Sequence, residues 1–253
     1  LSNGNYLLGI YIIDVAAYVP LNSHLYQDAI NNASHPNSMP MLPTYLCKDI
    51  CTIKAHHQRL AIAHFYEYTP DFQLVNEHPQ ILKAIISAKA NLEVRQIDKI
   101  ASNKDHELYE IIKQLIEITQ NIAIANPNID EYHRQKSEQR SKKANYSIKH
   151  DNSLGNNIVK YLMILNNQSI AHLASSNQGK YPFIFRNNTQ FNPSDILAQI
   201  KHQFPKDIEI KETLNRLSTP VSNSTYSTIS KGHAGLGFKD YTHISTPGRS
   251  VAS

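Results

Sequence analysis

The stretch NYLLGIYIIDVAAYV, residues 5–19, decides how the first part of the chain folds. It is rich in β-branched, leucine and aromatic residues, which is typical of a buried strand. The apolar run ends at Asp14, so we expect the strand to end near that residue. A bilayer-spanning helix needs about 20 apolar residues. The run YLLGIYII is much shorter, and we expect no membrane partner.

The segments downstream of this strand have the patterns of further strands and helices. Residues 59–68 alternate weakly and, together with residues 71–77, predict a β-hairpin. The prolines at 36, 40 and 43 exclude a helix and a central strand and predict an extended loop. Apolar spacing and capping residues predict helices over 78–90, 103–125 and 156–174, and a fourth helix that starts at Ser194.

The layout of strands first and helices after predicts an α+β fold. In the 103–125 helix, Leu108, Ile112 and Leu115 lie on one face, and we expect them to be buried against the sheet. No internal repeat or low-complexity linker divides the chain. A single domain over residues 1–253 is therefore expected.

Composition and cysteine usage limit the class of protein. Apolar residues make up 41% and charged residues 18% of the 253, which is compatible with a globular protein. The net charge of +4 permits a polyanionic partner. Cys47 and Cys51 precede His56 and His57, so they are either zinc ligands or reduced thiols. Their spacing fits no common zinc pattern, and we expect reduced thiols in a cytoplasmic protein.

A glycine-rich segment near the end of the chain, GLGFKDYTHISTPGR (235–249), concentrates polar side chains. Glycines permit tight turns, so the segment is suited to a loop that presents these groups at a site. Its single arginine, Arg249, is either a surface residue or an anion contact. From the residues alone, the surface interpretation is the simpler one.

Five segments of the chain are informative when they are taken in order. They are LGIYIIDVAAYVPLNSHLYQDA (8–29), PNSMPMLPTYLCKDICTI (36–53), ISAKANLEVRQIDKI (86–100), IVKYLMILNNQSIAHL (158–173) and HAGLGFKDYTHISTPGR (233–249). Together they resemble the RNB catalytic domain of the ribonuclease II and ribonuclease R family. The third and fourth fall between the stronger matches in the order that the family has. The resemblance therefore extends over nearly the whole chain.

The resemblance implies a fold, an activity and a set of site residues. The fold is a mixed or antiparallel sheet packed with helices around an RNA channel. The activity is 3′-to-5′ exoribonuclease action on single-stranded RNA, which releases nucleoside 5′-monophosphates, and no action on DNA is expected. Arg249 corresponds to an arginine beside the scissile phosphate, a role that suits a planar guanidinium. The implied substrate-binding residues are Tyr241, His243, Thr246 and Arg186.

The chain also departs from the family. RNB enzymes hold Mg²⁺ with an aspartate cluster that we expect to precede Leu1, so no metal ligand is expected in this chain, and Asp14 is expected to be structural. The flanking cold-shock and S1 domains are not expected either. An alternative is a catalytically inactive RNB derivative that binds RNA or acts as a scaffold. The positions that differ from the family, and that favour this alternative, are Lys160 and Tyr161 in place of two glutamates, and Ser250 and Val251 in place of Arg-Tyr. Ser34 or His35, in place of a stacking tyrosine, also differs from the family.

The polar, basic segment 133–149 permits two interpretations. It is either a solvated loop, which is the simpler reading, or a contact for the RNA backbone. A backbone contact would weaken steeply with salt, because binding releases counterions. Its cationic residues are Arg134, Lys136, Arg140, Lys142, Lys143 and Lys149.

Overall fold

The computed structural model describes residues 1–33, 40–144, 153–177, 180, 182–188, 224–245 and 247. Within these residues, helices and antiparallel strands confirm the α+β class. The elements are β1 (Tyr6–Ile13), α1 (His24–Ala33), β2 (Gln58–Tyr68), β3 (Gln80–Ser87), α2 (Val94–Ala101), α3 (Tyr109–Ala125), α4 (Asn128–Ala144), α5 (Leu154–Ser176), β4 (Phe185–Asn187) and β5 (Thr225–Ser227).

The predicted first strand is confirmed as β1. It pairs antiparallel with β2, placing Leu8 opposite Tyr66. Asp14 follows the strand, and its carboxylate accepts a hydrogen bond from the Ala17 amide at 3.2 Å. Asp14 thus begins a short 3₁₀ turn, Val15–Ala17, which ends the strand where the apolar run stops.

The helix predicted over residues 78–90 is wrong, because this segment forms strand β3. β3 pairs antiparallel with the second edge of β2, which completes a sheet of order β1-β2-β3. Its apolar residues fit a helical face and an extended strand equally well, and β-branched isoleucines favour the strand. On this edge Ile81 and Ile85 remain exposed. The hairpin partner of β2 is therefore β3, while residues 71–77 lie in the connection and make one bridge, between Tyr68 and Leu74.

The two long predicted helices are confirmed as α3 and α5. α3 begins at Tyr109 rather than at residue 103 and ends at Ala125, with Asn126 as its C-cap before Pro127. Ile112 is buried as predicted, whereas Leu108 and Leu115 are only partly buried. Leu108 lies before the first helical turn, so the helix does not carry it to the core.

Residues 133–144 of the basic segment are helical rather than a loop, because α4 extends through residue 144. Glutamate, glutamine, arginine and lysine are good helix formers, and charge pairs on one face add to this preference. Arg134 pairs with Glu131 one turn before it and with Glu138 one turn after it. Ile129 and Tyr132 are buried and anchor the helix to the core.

The main core lies between the sheet and α3, α4 and α5. A buried hydrogen bond crosses it, from the Tyr66 hydroxyl to the Asn166 Oδ1 at 2.9 Å. Moving α5 away from β2 would break this bond and leave two buried polar groups without partners, which is costly. The bond therefore holds α5 against β2. The buried cluster consists of Leu8, Ile10, Tyr66, Tyr68, Ile118, Ile122, Ile129, Tyr132, Tyr161, Ile164, Leu236 and Tyr241.

Some sequence predictions lie outside the described residues. These are the helix expected from Ser194, Ser34 and His35, and the end of the basic segment at 145–149. Among the described residues, no helix combines the length and the apolar character that a membrane span needs.

Candidate functional site

A polar pocket of about 540 Å³ lies between α4, α5, β4 and the segment 241–245, and we call it the basic pocket. Its wall combines cationic, aromatic and amide side chains from parts of the chain that are far apart in sequence. The lining residues are Tyr132, His133, Lys136, Ser137, Lys160, Met163, Ile164, Asn167, Arg186, Leu236, Tyr241, His243 and Ser245.

Strand β4 brings Arg186 to this pocket. One edge of β4 pairs with β5, and the other contacts the segment that contains Tyr241. The Arg186 amide donates to the Tyr241 carbonyl at 2.8 Å. The Thr242 hydroxyl donates to the Ile184 carbonyl at 2.7 Å. These bonds place two of the predicted substrate-binding residues side by side.

Asn167 of α5 holds the same segment from the other side. Its side-chain amide donates to the Tyr241 hydroxyl at 3.3 Å, and its Oδ1 accepts from the Ile244 amide at 3.1 Å. Asn167 is 2% exposed, so both bonds are shielded from water. His243 and Ser245 then line the basic pocket, while Ile244 lines a neighbouring apolar cavity of about 350 Å³.

The turn before this segment depends on glycine. An added Cβ at Gly235 would lie 2.5 Å from the Tyr132 ring, so a larger residue would push α4 away from the turn. Gly237 has φ 74°, in the left-handed region that glycine adopts at little cost. The glycine-rich sequence predicts a turn here, and these two positions confirm it.

His243 and His233 are neutral at pH 7. Burial and the charge of Arg186 lower the pKa of His243 below its usual value. Burial, with contributions from Arg186 and Lys136, lowers the pKa of His233 to about 3. These two histidines therefore add no positive charge to the site at neutral pH.

Lys160 and Tyr161 form a polar cluster with Asp130 of α4. The Lys160 ammonium donates to Asp130 Oδ1 at 2.7 Å, and the Tyr161 hydroxyl donates to Asp130 Oδ2 at 2.7 Å. Burial alone would raise the pKa of Asp130, but the bonds from Lys160 and Tyr161 outweigh it and lower this pKa. Asp130 is therefore ionised at neutral pH and links α4 to α5.

The structure brings Arg186, Tyr241 and His243 together at the basic pocket, whereas Thr246 and Arg249 lie outside the described residues. Tyr132 and Asn167 also line the pocket, and sequence reasoning missed both of them. Lys136 and Lys160 line it too, and the sequence had indicated them only as a possible contact for the RNA backbone and as a departure from the family. A helical reading of the basic segment would have placed Tyr132 and Lys136 on one face, since they are four residues apart. Asn167 carried a weaker signal, as an amide within an otherwise apolar helix face.

The described residues do not fit a Mg²⁺ site. Magnesium prefers several oxygen ligands, mostly carboxylates. Among the parts of the chain that the structure describes, no group of three or more His, Cys, Asp or Glu side chains could hold a metal ion. Asp14 is buried, accepts from Ala17 and lies 3.9 Å from the Lys83 ammonium, which is a structural arrangement. Both cysteines are free thiols, and the absence of zinc binding stays a prediction.

Comparison with known proteins gives the family. The model of the RNB domain family matches residues 1–250. The chain belongs to the RNB family. Ribonuclease R of Chlamydia pneumoniae is 24% identical over 284 aligned positions, which cover 97% of this RNB chain and 41% of that relative. The chain thus spans about two fifths of the length of this relative.

Solved structures confirm the RNB fold. RNase R of Mycoplasma genitalium, solved in complex with double-stranded RNA, matches with a TM-score of 0.68 and 17% identity, over 97% of this chain and 50% of that one. A yeast pseudonuclease matches with a TM-score of 0.67 and 14% identity, over 99% of this chain and 35% of that one. The same fold therefore occurs both in a ribonuclease and in a protein described as a pseudonuclease.

Proposed function

We propose that this chain is the RNA-binding part of a 3′-to-5′ exoribonuclease domain that acts on single-stranded RNA. In the intact enzyme, hydrolysis releases nucleoside 5′-monophosphates. The observation that carries the proposal is the basic pocket, in which cationic and aromatic side chains converge within an RNB chain. A basic groove with aromatic side chains is the usual means of binding single strands.

The chemistry of the pocket suits the phosphate backbone of RNA. Lys136, Lys160 and Arg186 supply positive charge, and Asn167 fixes the segment that carries Tyr241 and His243. Thr246 and Arg249 follow that segment directly in the sequence, and we include both in the proposed site. The guanidinium of Arg249 would hold two phosphate oxygens at once, as a planar fork of donors does.

Mg²⁺ belongs to the proposed activity of the intact enzyme. When bound, it would supply an activated water and neutralise the phosphate charge. The described residues of this chain do not provide its ligands, so their proposed role is to bind and orient the RNA. We place the protein in the cytoplasm, with RNA and not DNA as the partner.

A second candidate is a catalytically inactive RNB derivative that binds RNA or acts as a scaffold. The observation that favours it is the Lys160–Asp130–Tyr161 cluster, in which a lysine occupies a position where the family resemblance implies an acid. The ammonium is held in place by Asp130 and contacts the Tyr161 ring at 4.5 Å. RNA binding without hydrolysis by an intact, metal-loaded protein would support this candidate.

The proposed RNA site is tested with Arg186→Gln. We expect this substitution to weaken binding of single-stranded RNA by about tenfold, because one charge-assisted contact to phosphate is lost. The slope of log affinity against log salt should fall by about 1. Fluorescence anisotropy at several salt concentrations measures both quantities.

The matched control is Arg95→Gln on α2. Arg95 is exposed, lies outside the basic segment and does not line the basic pocket. The control should bind RNA as the parent does, and circular dichroism should show both variants folded. Equal affinity and equal salt slope for Arg186→Gln and its parent would contradict the proposed site.

A further inference from the structure

Three cationic side chains line the basic pocket, from three different elements. Lys136 comes from α4, Lys160 from α5 and Arg186 from β4. Among the described residues that line the pocket, none is Asp or Glu.

Lys160 is the most confined of these cations. Its side chain is only 12% exposed, and Asp130, its carboxylate partner within the described part of the chain, has a side chain that is 62% exposed. A lysine ammonium has three N–H donors, and Asp130 Oδ1 takes one of them. Lys160 is therefore held against the pocket wall with donor capacity left for a ligand.

We infer that the basic pocket binds a phosphomonoester, namely the terminal phosphate of an RNA strand, and that Lys160 makes it prefer a terminal phosphate to an internal one. A phosphomonoester carries a charge of about −1.5 to −2 at pH 7, whereas an internal phosphodiester carries a single charge. Three cations line the pocket and one of them, Lys160, pairs with the single carboxylate of Asp130, so the excess of positive charge favours the larger charge of a phosphomonoester. This inference rests on the proposed RNA binding and states that the site takes a phosphorylated end of the strand.

The test compares three RNA oligonucleotides of one sequence, with a 3′-phosphate, with a 5′-phosphate or with hydroxyls at both ends. Binding is measured by anisotropy from an internal label. We expect one of the two phosphorylated oligonucleotides to bind about tenfold more tightly than the one with hydroxyls at both ends. Comparison of the 3′-phosphate and 5′-phosphate oligonucleotides identifies which end enters the pocket. Lys160→Gln should remove this ratio, while Lys160→Arg should retain it because the charge is kept.

Lys113→Gln on the exposed face of α3 is the matched control and should leave the ratio unchanged. Equal binding of all three oligonucleotides would overturn the inference and leave the proposed function intact. A preference that survives Lys160→Gln would also overturn it. If none of the oligonucleotides binds, the proposed RNA site itself fails, so the two failures are distinguishable.

Discussion

Incubated with single-stranded RNA and Mg²⁺, the 253-residue chain is expected to release no nucleoside 5′-monophosphates. Hydrolysis of a phosphodiester by this family's chemistry needs a metal-bound water, and the metal needs a cluster of oxygen ligands. The sequence from Leu1 to Ser253 contains no aspartate cluster with the RNB spacing. Chromatography of labelled RNA digests measures the product, and metal-dependent mononucleotide release would contradict this prediction.

The complementary experiment supplies the missing ligands. A fusion that carries the aspartate segment of a ribonuclease R relative ahead of Leu1 is expected to gain Mg²⁺-dependent trimming from the 3′ end. In that fusion, Arg249→Lys should lower the rate by about a hundredfold, because a point charge cannot replace a bidentate fork that stabilises developing charge. An Arg249→Lys fusion as active as its parent would show that the guanidinium has no such role. A fusion that binds RNA but stays inactive would favour the non-catalytic candidate.

The largest expected effect on stability is that of Ile118→Ala. Ile118 is 3% exposed and packs in the core between α3 and the sheet. Truncation removes buried apolar surface and leaves a cavity, which should lower the free energy of unfolding by about 2 to 5 kcal/mol. Urea unfolding followed by circular dichroism measures this change.

Ile124→Ala in the same helix is the matched control for Ile118→Ala. Ile124 is 79% exposed, so the same truncation should change the free energy of unfolding by no more than about 0.5 kcal/mol. Equal losses at the two positions would show that α3 does not present Ile118 to the core.

Helices and strands were predicted correctly where the spacing of the apolar residues fitted only one of the two secondary structures. β1 is apolar on both faces and short, and α3 and α5 keep a helical period over several turns, so each was found. β3 was missed because Ile81, Leu82, Ile85 and Ile86 satisfy both periods, and the free edge of β2 decided between them. That edge is formed by tertiary pairing, which a single segment does not reveal.

The sequence predicted the residues of the candidate site that lie in one continuous segment and, through the family resemblance, Arg186. The segment with Tyr241 and His243 was identified from its glycines and its family resemblance, and Arg186 from the resemblance alone. Lys136, Lys160 and Asn167 reach the same pocket from two helices, and their convergence depends on how α4 and α5 pack. Asp130, which holds Lys160, lies 30 residues away along the chain, so no local pattern joins the two.

The measurement that tests the central claim most directly is photo-crosslinking of RNA that carries 4-thiouridine, with the attached peptides mapped by mass spectrometry. If the basic pocket binds RNA, cross-links should fall on peptides that contain Tyr132 or the Tyr241–His243 segment. The exposed face of the sheet, with Tyr11 at 40% exposure, is an internal reference that should remain unlabelled. Cross-links at Tyr11 and none at the pocket would contradict the account.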